Sequence, residues 1–268
     1  MNDFQVMGVL NVTPDSFSDG GQFDNIQSAL QQVDLMVEEQ VDWIDVGGES
    51  TRPGADFVSV DEEIERVIPV IKAIKERYPT QKISIDTSKA EVMEAAIMAG
   101  VSLINDVNAL QAEGAIEVAV KHDVDVCLMH KQGSPQTMQN NPEYEDVVQQ
   151  VLDFFDQRVE ACLSHGMSAE RIILDPGIGF GKKLSHNLKL ISHTATFKQM
   201  GFPVLLGVSR KSMFQDLLNR PIDQRLAGSL AVVQFAYLQG ADIFRVHDVA
   251  ETIDTLKTCQ ALIGAANE

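Results

Sequence analysis

Basic residues are scarce in this chain of 268 residues. Lys and Arg number 21 against 39 Asp and Glu, which gives a formal net charge of −18. Such an acidic balance argues against non-specific binding to nucleic acid and against attachment to an anionic membrane surface. It also makes a local pair of cations noticeable, and Arg210 and Lys211 form such a pair in the segment GVSRKS.

Cysteines and long apolar runs are scarce as well. The chain has three cysteines, Cys127, Cys162 and Cys259, and no C-x-x-C pair, so we expect reduced thiols rather than structural disulfides. No apolar run approaches the roughly 20 residues that a membrane-spanning helix needs. The first ten residues have neither a basic start nor the apolar stretch of a secretory signal. We therefore expect a cytoplasmic protein.

Several common catalytic patterns are missing. The six histidines show no H-x-H or H-E-x-x-H spacing, which argues against a zinc site. Gly177–Lys182, GIGFGK, lacks the full phosphate-loop pattern, and no G-x-G-x-x-G follows the first apolar run. Ser209 lies outside a G-x-S-x-G context, so we do not interpret Ser209 and His247 as a hydrolase pair.

Short apolar runs alternate with longer amphipathic segments along the whole chain. Their Ile, Val and Leu content is typical of parallel strands that are buried on both faces. The predicted strands are Gln5–Leu10, Trp43–Val46, Lys82–Asp86, Leu103–Asp106, Asp125–Met129, Arg171–Asp175, Pro203–Val208 and Ile243–Val246. The predicted helices are Asn25–Glu39, Ser59–Tyr78, Ala90–Ala99, Asp146–His165, Arg225–Gln239 and Val249–Ile263.

Start and stop signals support the helices. Ser59 and Glu62 have capping-box spacing, and glycines such as Gly100 and Gly240 precede the next strand, as left-handed helix stops do. Eight βα units in one unbroken chain predict a (β/α)₈ TIM barrel, an α/β fold that forms a single domain over residues 1–268. A doubly wound open sheet is the alternative.

Polar side chains follow the predicted strands, and in a barrel all of these strand ends meet at one rim. Asp86, Asn105, Asp175 and Lys211 together suit a flat heterocycle with a guanidine-like edge. A carboxylate accepts two parallel N–H bonds from such an edge, Asn donates and accepts, and Lys donates to a ring carbonyl. The alternative for a single strand-end Asp is a cap on the following helix, and a lone Asn there is usually structural.

A second polar cluster follows the last predicted strand. Arg245 and His247 alternate across Val246, so both side chains project from one face and could hold an anion. Arginine with phosphate is a favoured bidentate pair. A salt bridge from Arg245 to a neighbouring helix is the alternative.

These segments resemble the dihydropteroate synthase family of bacterial folate biosynthesis. The resemblance covers nearly the whole chain, in family order. It rests on MGVLNVTPDSFSDGG, DVGGESTRPGA, SIDTSK, INDV, MHKQGSPQTMQ, ILDPGIGFGK, GVSRKS and RVHDV.

The resemblance implies a TIM-barrel transferase that joins 4-aminobenzoate to 6-hydroxymethyl-7,8-dihydropterin diphosphate and releases diphosphate with the help of Mg²⁺. It implies a homodimer that contacts through late helices, and the family is a target of sulfonamides. The implied pterin pocket is Asp86, Asn105, Asp175 and Lys211, with Met129 and Phe180 as walls. The implied diphosphate site is Asn11, Thr51, Arg245 and His247, with Asn11 as the metal ligand. Phe17, Arg52, Pro53, Lys211 and Ser212 match residues that border the aminobenzoate.

The implied catalytic residues are Asp86, Asp175, Lys211, Arg245 and His247. We expect a dissociative substitution in which carboxylates stabilise a pterin cation, and mobile Gly-containing loops after the first two strands that exclude water. Asp19 could touch the reacting region. A corrinoid-linked pterin methyltransferase and a non-catalytic pterin-binding paralogue are the alternative functions.

The sequence departs from the family pattern in three places. The usual β-hairpin before the first strand is missing, so the closure of the barrel floor is open. Lys131 stands where Met or Arg is more usual, and Gln215 replaces a common Gly.

Overall fold

A computed structural model describes residues 3–12, 22–50, 55, 57–133, 138 and 141–266, with the backbone alone for residues 22–25. The described residues form eight parallel strands in the order β6-β5-β4-β3-β2-β1-β8-β7. The strands are β1 Gln5–Asn11, β2 Trp43–Gly47, β3 Lys82–Asp86, β4 Leu103–Asp106, β5 Asp125–Met129, β6 Ile172–Asp175, β7 Leu205–Leu206 and β8 Ile243–Val246.

A bridge between Leu174 and Val204 brings the two sheet ends together. Leu174 N also donates to Pro203 O at 2.9 Å. The sheet is therefore a nearly closed barrel with helices outside it, so the predicted TIM barrel is confirmed and the open-sheet alternative is wrong. Strand β7 is two residues long, shorter than the predicted Pro203–Val208.

The helices surround the barrel. They are α1 Gln22–Glu38, α2 Val60–Arg77, α3 Ala90–Met98, α4 Ala115–His122, α5 Val147–Ser164, α6 Leu184–Ser192, α7 Thr194–Lys198, α8 Met213–Leu218, α9 Leu226–Leu238 and α10 Val249–Ala266. One half of the predicted capping box is present, because Ser59 Oγ accepts from Glu62 N, whereas Glu62 Oε1 accepts from Arg66 Nη2. Gly100 and Gly240 adopt the positive φ of a left-handed stop. Sequence periodicity missed α4, α6, α7 and α8, which are too short to show a clear repeat.

The lower half of the barrel interior is apolar. One buried residue from each of seven strands forms a separate cluster there, namely Met7, Trp43, Leu103, Cys127, Ile173, Leu205 and Ile243. Side chains along a strand alternate between faces, so the residues two positions further on also point inward, closer to the carboxyl ends. These are Val9, Asp45, Asn105, Met129, Asp175, Gly207 and Arg245. The interior thus changes from apolar to polar towards one rim.

Trp43 fills the amino-terminal end of the barrel. Its side-chain Nε1 donates to Gln5 Oε1 at 2.9 Å, and Lys82 Nζ lies 5.0 Å from the ring centroid. Trp43 is buried as a result. These contacts hold the Trp43 ring at the barrel floor, whose closure the sequence left open.

The larger core lies between the strands and the surrounding helices, and it draws on residues from Val6 to Cys259. All three cysteines are buried free thiols, as expected. In the part of the chain that the structure describes, no helix is both long enough and apolar enough to cross a membrane.

Candidate active site

Asp45 is the centre of a buried polar network inside the barrel. Its Oδ2 accepts from Arg245 Nε at 2.6 Å and from Asn105 Nδ2 at 3.1 Å, and its Oδ1 accepts from Ser84 Oγ at 2.6 Å. The same guanidinium donates from Nη2 to Asp86 Oδ2 at 2.7 Å. Burial lowers the pKa of Arg245, but the carboxylates of Asp45 and Asp86 outweigh burial and leave that pKa raised. Four strands are thereby joined by charge-assisted hydrogen bonds.

The second oxygen of Asp86 has no hydrogen-bond partner among the described residues. Asp86 Oδ1 is buried and accepts no hydrogen bond from any residue that the structure describes. Burial raises the pKa of Asp86 to about 7, although the Arg245 cation opposes the shift. A buried acceptor without a partner is costly, so this oxygen suits a donor on a ligand.

Asp175 and Lys211 lie on the other side of the same rim. Asp175 Oδ1 accepts from Gly177 N at 2.8 Å, and Lys211 Nζ donates to Ile178 O and lies 4.5 Å from the Phe180 ring centroid. Burial raises the pKa of Asp175, and the Lys211 cation partly offsets that rise. Burial lowers the pKa of Lys211 to about 8, with Asp175 acting in the opposite direction. The two groups therefore favour each other's charged forms.

Two glycines keep the mouth of the barrel open. A Cβ on Gly47 would lie 3.8 Å from Asp86 Oδ2 and 3.9 Å from Asn11 Oδ1. A Cβ on Gly207 would lie 3.9 Å from Lys211 Nζ. Gly47 therefore lies beside Asp86 and Asn11, and Gly207 lies beside Lys211 and Arg245.

His247 and Asn11 line an adjoining cavity of about 330 Å³ at the outer edge of this rim. Ser209 Oγ lies 3.1 Å from His247 Nδ1 and 3.2 Å from the His247 backbone N, which fixes the imidazole. Arg210 lines the same cavity, yet its Nε donates to Asp248 Oδ2 at 3.0 Å. The two cationic side chains of GVSRKS thus point in different directions. Lys211 points into the pocket, and Arg210 pairs with Asp248 at the start of α10.

The strand-end acids do not all play the same part. Asp106 is a turn cap, since its two oxygens accept from Asn108 N and Leu110 N at 2.7 Å each. Asp86 makes no such backbone contact in the described residues and points at Arg245 instead. The cap alternative therefore applies to Asp106. The alternative for Arg245, a salt bridge to a neighbouring helix, is replaced by pairing with acids of β2 and β3.

The remaining predicted residues fall in three groups. Met129 is buried beside Asp175 in the β5–β6 register, and Phe180 lies against Lys211. Ser212 is exposed and lines a second cavity of about 430 Å³ together with Lys182. Thr51, Arg52, Phe17, Pro53 and Asp19, with the loops predicted to close, lie outside the described residues. The roles of all these residues stay predictions.

Sequence reasoning overlooked three buried polar residues of the site. Asp45 lies within the predicted strand Trp43–Val46, where a buried charge signals a partner inside the barrel. Lys182 and His130 are also buried and contact each other, Lys182 Nζ lying 3.0 Å from His130 Nδ1. Their contact joins two loops that are far apart in sequence, and no local pattern reveals it.

Known proteins resemble this chain over almost its full length. The family model described as pterin binding enzyme matches residues 7–247. The dihydropteroate synthase of Haemophilus influenzae is 53% identical over 261 residues, with 97% of this chain and 94% of that protein covered. The Escherichia coli K12 dihydropteroate synthase is 48% identical over 260 residues, covering 97% and 92%.

Solved structures agree in fold as well as in sequence. A sulfonamide complex of the Yersinia pestis dihydropteroate synthase has a TM-score of 0.92 at 47% identity and covers 98% of this chain and 95% of its own. The Xanthomonas albilineans enzyme in complex with 7,8-dihydropteroate has a TM-score of 0.88 at 41% identity, with 97% and 94% covered. The chain therefore belongs to the pterin-binding enzyme family and, within it, to the dihydropteroate synthases.

Proposed function

We propose that this transferase condenses 6-hydroxymethyl-7,8-dihydropterin diphosphate with 4-aminobenzoate to give 7,8-dihydropteroate and diphosphate. The observation that carries the proposal is the convergence of Asp86, Asn105, Asp175 and Lys211 on one rim, with Asp86 Oδ1 buried and unpartnered among the described residues. The identity to dihydropteroate synthases over nearly the full chain supports it.

The pterin ring lies between the two acidic groups. Asp86 Oδ1 and the carboxylate of Asp175 accept N–H bonds from its amino-pyrimidinone edge, and Lys211 donates to a ring acceptor. The Asp86–Arg245 contact holds one carboxyl oxygen so that the other points at the ligand. Because ligand donors favour the charged carboxyl, pterin binding keeps Asp86 ionised at neutral pH.

The reaction exchanges a C–O bond for a C–N bond. The bond between the pterin methylene carbon and diphosphate breaks, and its electron pair leaves with the diphosphate. The positive charge that remains spreads over the pterin ring, where Asp86 and Asp175 stabilise it more than the neutral ground state. The amine of 4-aminobenzoate attacks the carbon and gives up one proton to solvent. A weak aromatic amine suits attack on such a cation.

The departing diphosphate needs compensating charge. Arg245 and His247 lie at the diphosphate end, where Ser209 orients the imidazole. Mg²⁺ fits this place, because the Asn11 amide oxygen is a hard donor that faces the mouth beside Asp86. When bound, the cation neutralises diphosphate charge and orients its oxygens.

Two further features support proposals about the cell compartment and the oligomeric state of the protein. Its reduced thiols suit the cytoplasm, where we place the reaction. Helix α9 exposes Phe235 and Leu238, and α10 exposes Leu262. These apolar side chains support a homodimer built on the late helices.

A turnover assay tests the proposal. Purified protein with pterin diphosphate and Mg²⁺ should release diphosphate only when 4-aminobenzoate is added, and 7,8-dihydropteroate should appear in equal amount. Methyl transfer to a corrinoid protein without diphosphate release would favour the methyltransferase alternative. Tight pterin binding without turnover would favour the non-catalytic paralogue.

A further inference from the structure

The loop after β6 is folded around the buried ammonium group of Lys182. Lys182 Nζ donates to Gly177 O at 2.8 Å, to Phe180 O at 3.0 Å and to His130 O at 3.1 Å. It also lies 3.0 Å from His130 Nδ1, and the residue is only 3% exposed. The Lys182 ammonium thus binds backbone carbonyls of the loop that follows β6 and of the segment that follows β5.

The glycine spacing of GIGFGK makes this arrangement possible. Gly177 and Gly181 have positive φ values of 68° and 64°. A Cβ on Gly177 would lie 1.9 Å from His130 O, and one on Gly181 would lie 2.3 Å from Gln132 O. The loop is therefore pressed against the segment that follows β5, with its carbonyls turned inward.

The partner of Lys182 is a neutral imidazole. His130 is buried, packs edge-on against Phe154 with ring centroids 4.9 Å apart, and burial lowers its pKa to about 3. His130 Nδ1 lies beside the same ammonium, so four acceptors share the three N–H donors of Lys182. Within the described part of the chain, Lys182 forms no ion pair with a carboxylate, and its ammonium donates to backbone carbonyls. Burial lowers the pKa of Lys182 well below its usual value, and the nearby Asp175 carboxylate opposes that shift.

The folded loop in turn holds Lys211. Ile178 O, between two carbonyls that bind Lys182, accepts from Lys211 Nζ. The Phe180 ring lies under the same ammonium at 4.5 Å, and a Cβ on Gly179 would lie 3.1 Å from Lys211 Cδ. The shape of the loop therefore sets where Lys211 can lie.

We propose that Lys182 is a positioning residue for the pterin pocket, which acts through Ile178 and Phe180 to place the ammonium of Lys211. Lys182 does not touch the substrate in this arrangement. The inference rests on the proposed function, because it takes Lys211 and Phe180 as pterin-binding residues.

A double-mutant cycle tests it with Lys182→Met, which keeps a linear side chain and removes the donors and the charge. Calorimetry with 6-hydroxymethyl-7,8-dihydropterin should show a loss of about tenfold in affinity for Lys182→Met, the cost of one misplaced charged hydrogen bond. The double variant Lys182→Met/Lys211→Met should bind no more weakly than Lys211→Met alone, because both changes remove the same contact.

Lys183→Met is the matched control, because Lys183 is the exposed neighbour of Lys182. It should leave the affinity for the pterin unchanged within about twofold. If Lys182→Met does not fold, the cycle is run with Lys182→Gln, which keeps two donors. Additive losses or unchanged pterin affinity in a folded variant would overturn the inference. Wild-type protein that neither binds pterin nor turns over would instead overturn the proposed function, so the two failures are distinct.

Discussion

Arg245 Nη2 lies 2.7 Å from Asp86 Oδ2, and this contact fixes a carboxyl group whose other oxygen is buried without a partner in the described residues. The guanidinium is itself held by Asp45, deeper in the barrel. Asp86, Arg245 and Asp45 thus form one hydrogen-bonded unit. The sequence predicted Asp86 in the pterin pocket and Arg245 in the diphosphate site, and it did not single out Asp45.

The raised pKa of Asp86 predicts a stability that falls as pH rises. Its pKa is 3.8 unfolded and about 7 folded, so between those values the folded protein keeps a proton that the unfolded chain has lost. The free energy of unfolding should therefore fall by up to about 1.4 kcal/mol per pH unit across this window. Urea unfolding at a series of pH values measures it.

Asp86→Asn should make that slope shallower, because the amide does not titrate, whereas Asp175 and Asp106, whose pKa values burial also raises, still do. The variant should be at least as stable as wild type at alkaline pH. Asp156→Asn on α5 is the matched control, since Asp156 is exposed.

The same Asp86→Asn variant should lose about 10- to 100-fold in pterin affinity by calorimetry. Unchanged affinity would remove Asp86 from the pocket.

Arg245→Ala and His247→Ala should differ in which ligand they affect. Removing Arg245 leaves two buried carboxylates unpaired, so it should cost about 3–5 kcal/mol of stability and weaken free pterin as well as its diphosphate ester. Removing His247, which is exposed at the rim, should weaken the ester alone. Calorimetry with both ligands compares the variants. Equal losses of the two ligands in His247→Ala would contradict a separate diphosphate site.

Asn11→Ala should raise the Mg²⁺ concentration required for half-maximal turnover, since it removes the proposed oxygen ligand. A chelator should abolish wild-type turnover, and added Mg²⁺ should restore it. The measurement is diphosphate release against Mg²⁺ concentration. Asn219→Ala, at the exposed end of α8, is the control and should follow the wild-type curve. Identical curves for wild type and Asn11→Ala would place the metal elsewhere.

Phe235→Glu should convert a dimer into a monomer, because a charge would be buried in the proposed interface on α9. Phe235 is 43% exposed in the single chain. Leu163→Glu on α5 is the matched control, at 42% exposure. Sedimentation velocity at about micromolar concentration distinguishes the two states. A wild-type protein that sediments as a monomer would contradict the proposed dimer.

The sequence by itself determined the barrel and most of the rim. Ile- and Val-rich runs between capped amphipathic helices bury both faces in a parallel sheet, and eight such units favour a closed barrel over an open doubly wound sheet. That closure gathers strand ends such as Asp86 and Lys211 at one rim, whatever the detailed packing.

Only the tertiary structure decided how those groups are charged and held. Asp45 and Arg245 are 200 residues apart and meet because β2 and β8 both flank β1, a relation of strand order and register. Lys182 and His130 are likewise joined across two loops. The pKa of Asp86 follows from burial and from a guanidinium that arrives from the last strand. The burial and the cross-strand partners of these residues arise only when the barrel closes, so no local sequence pattern predicts them.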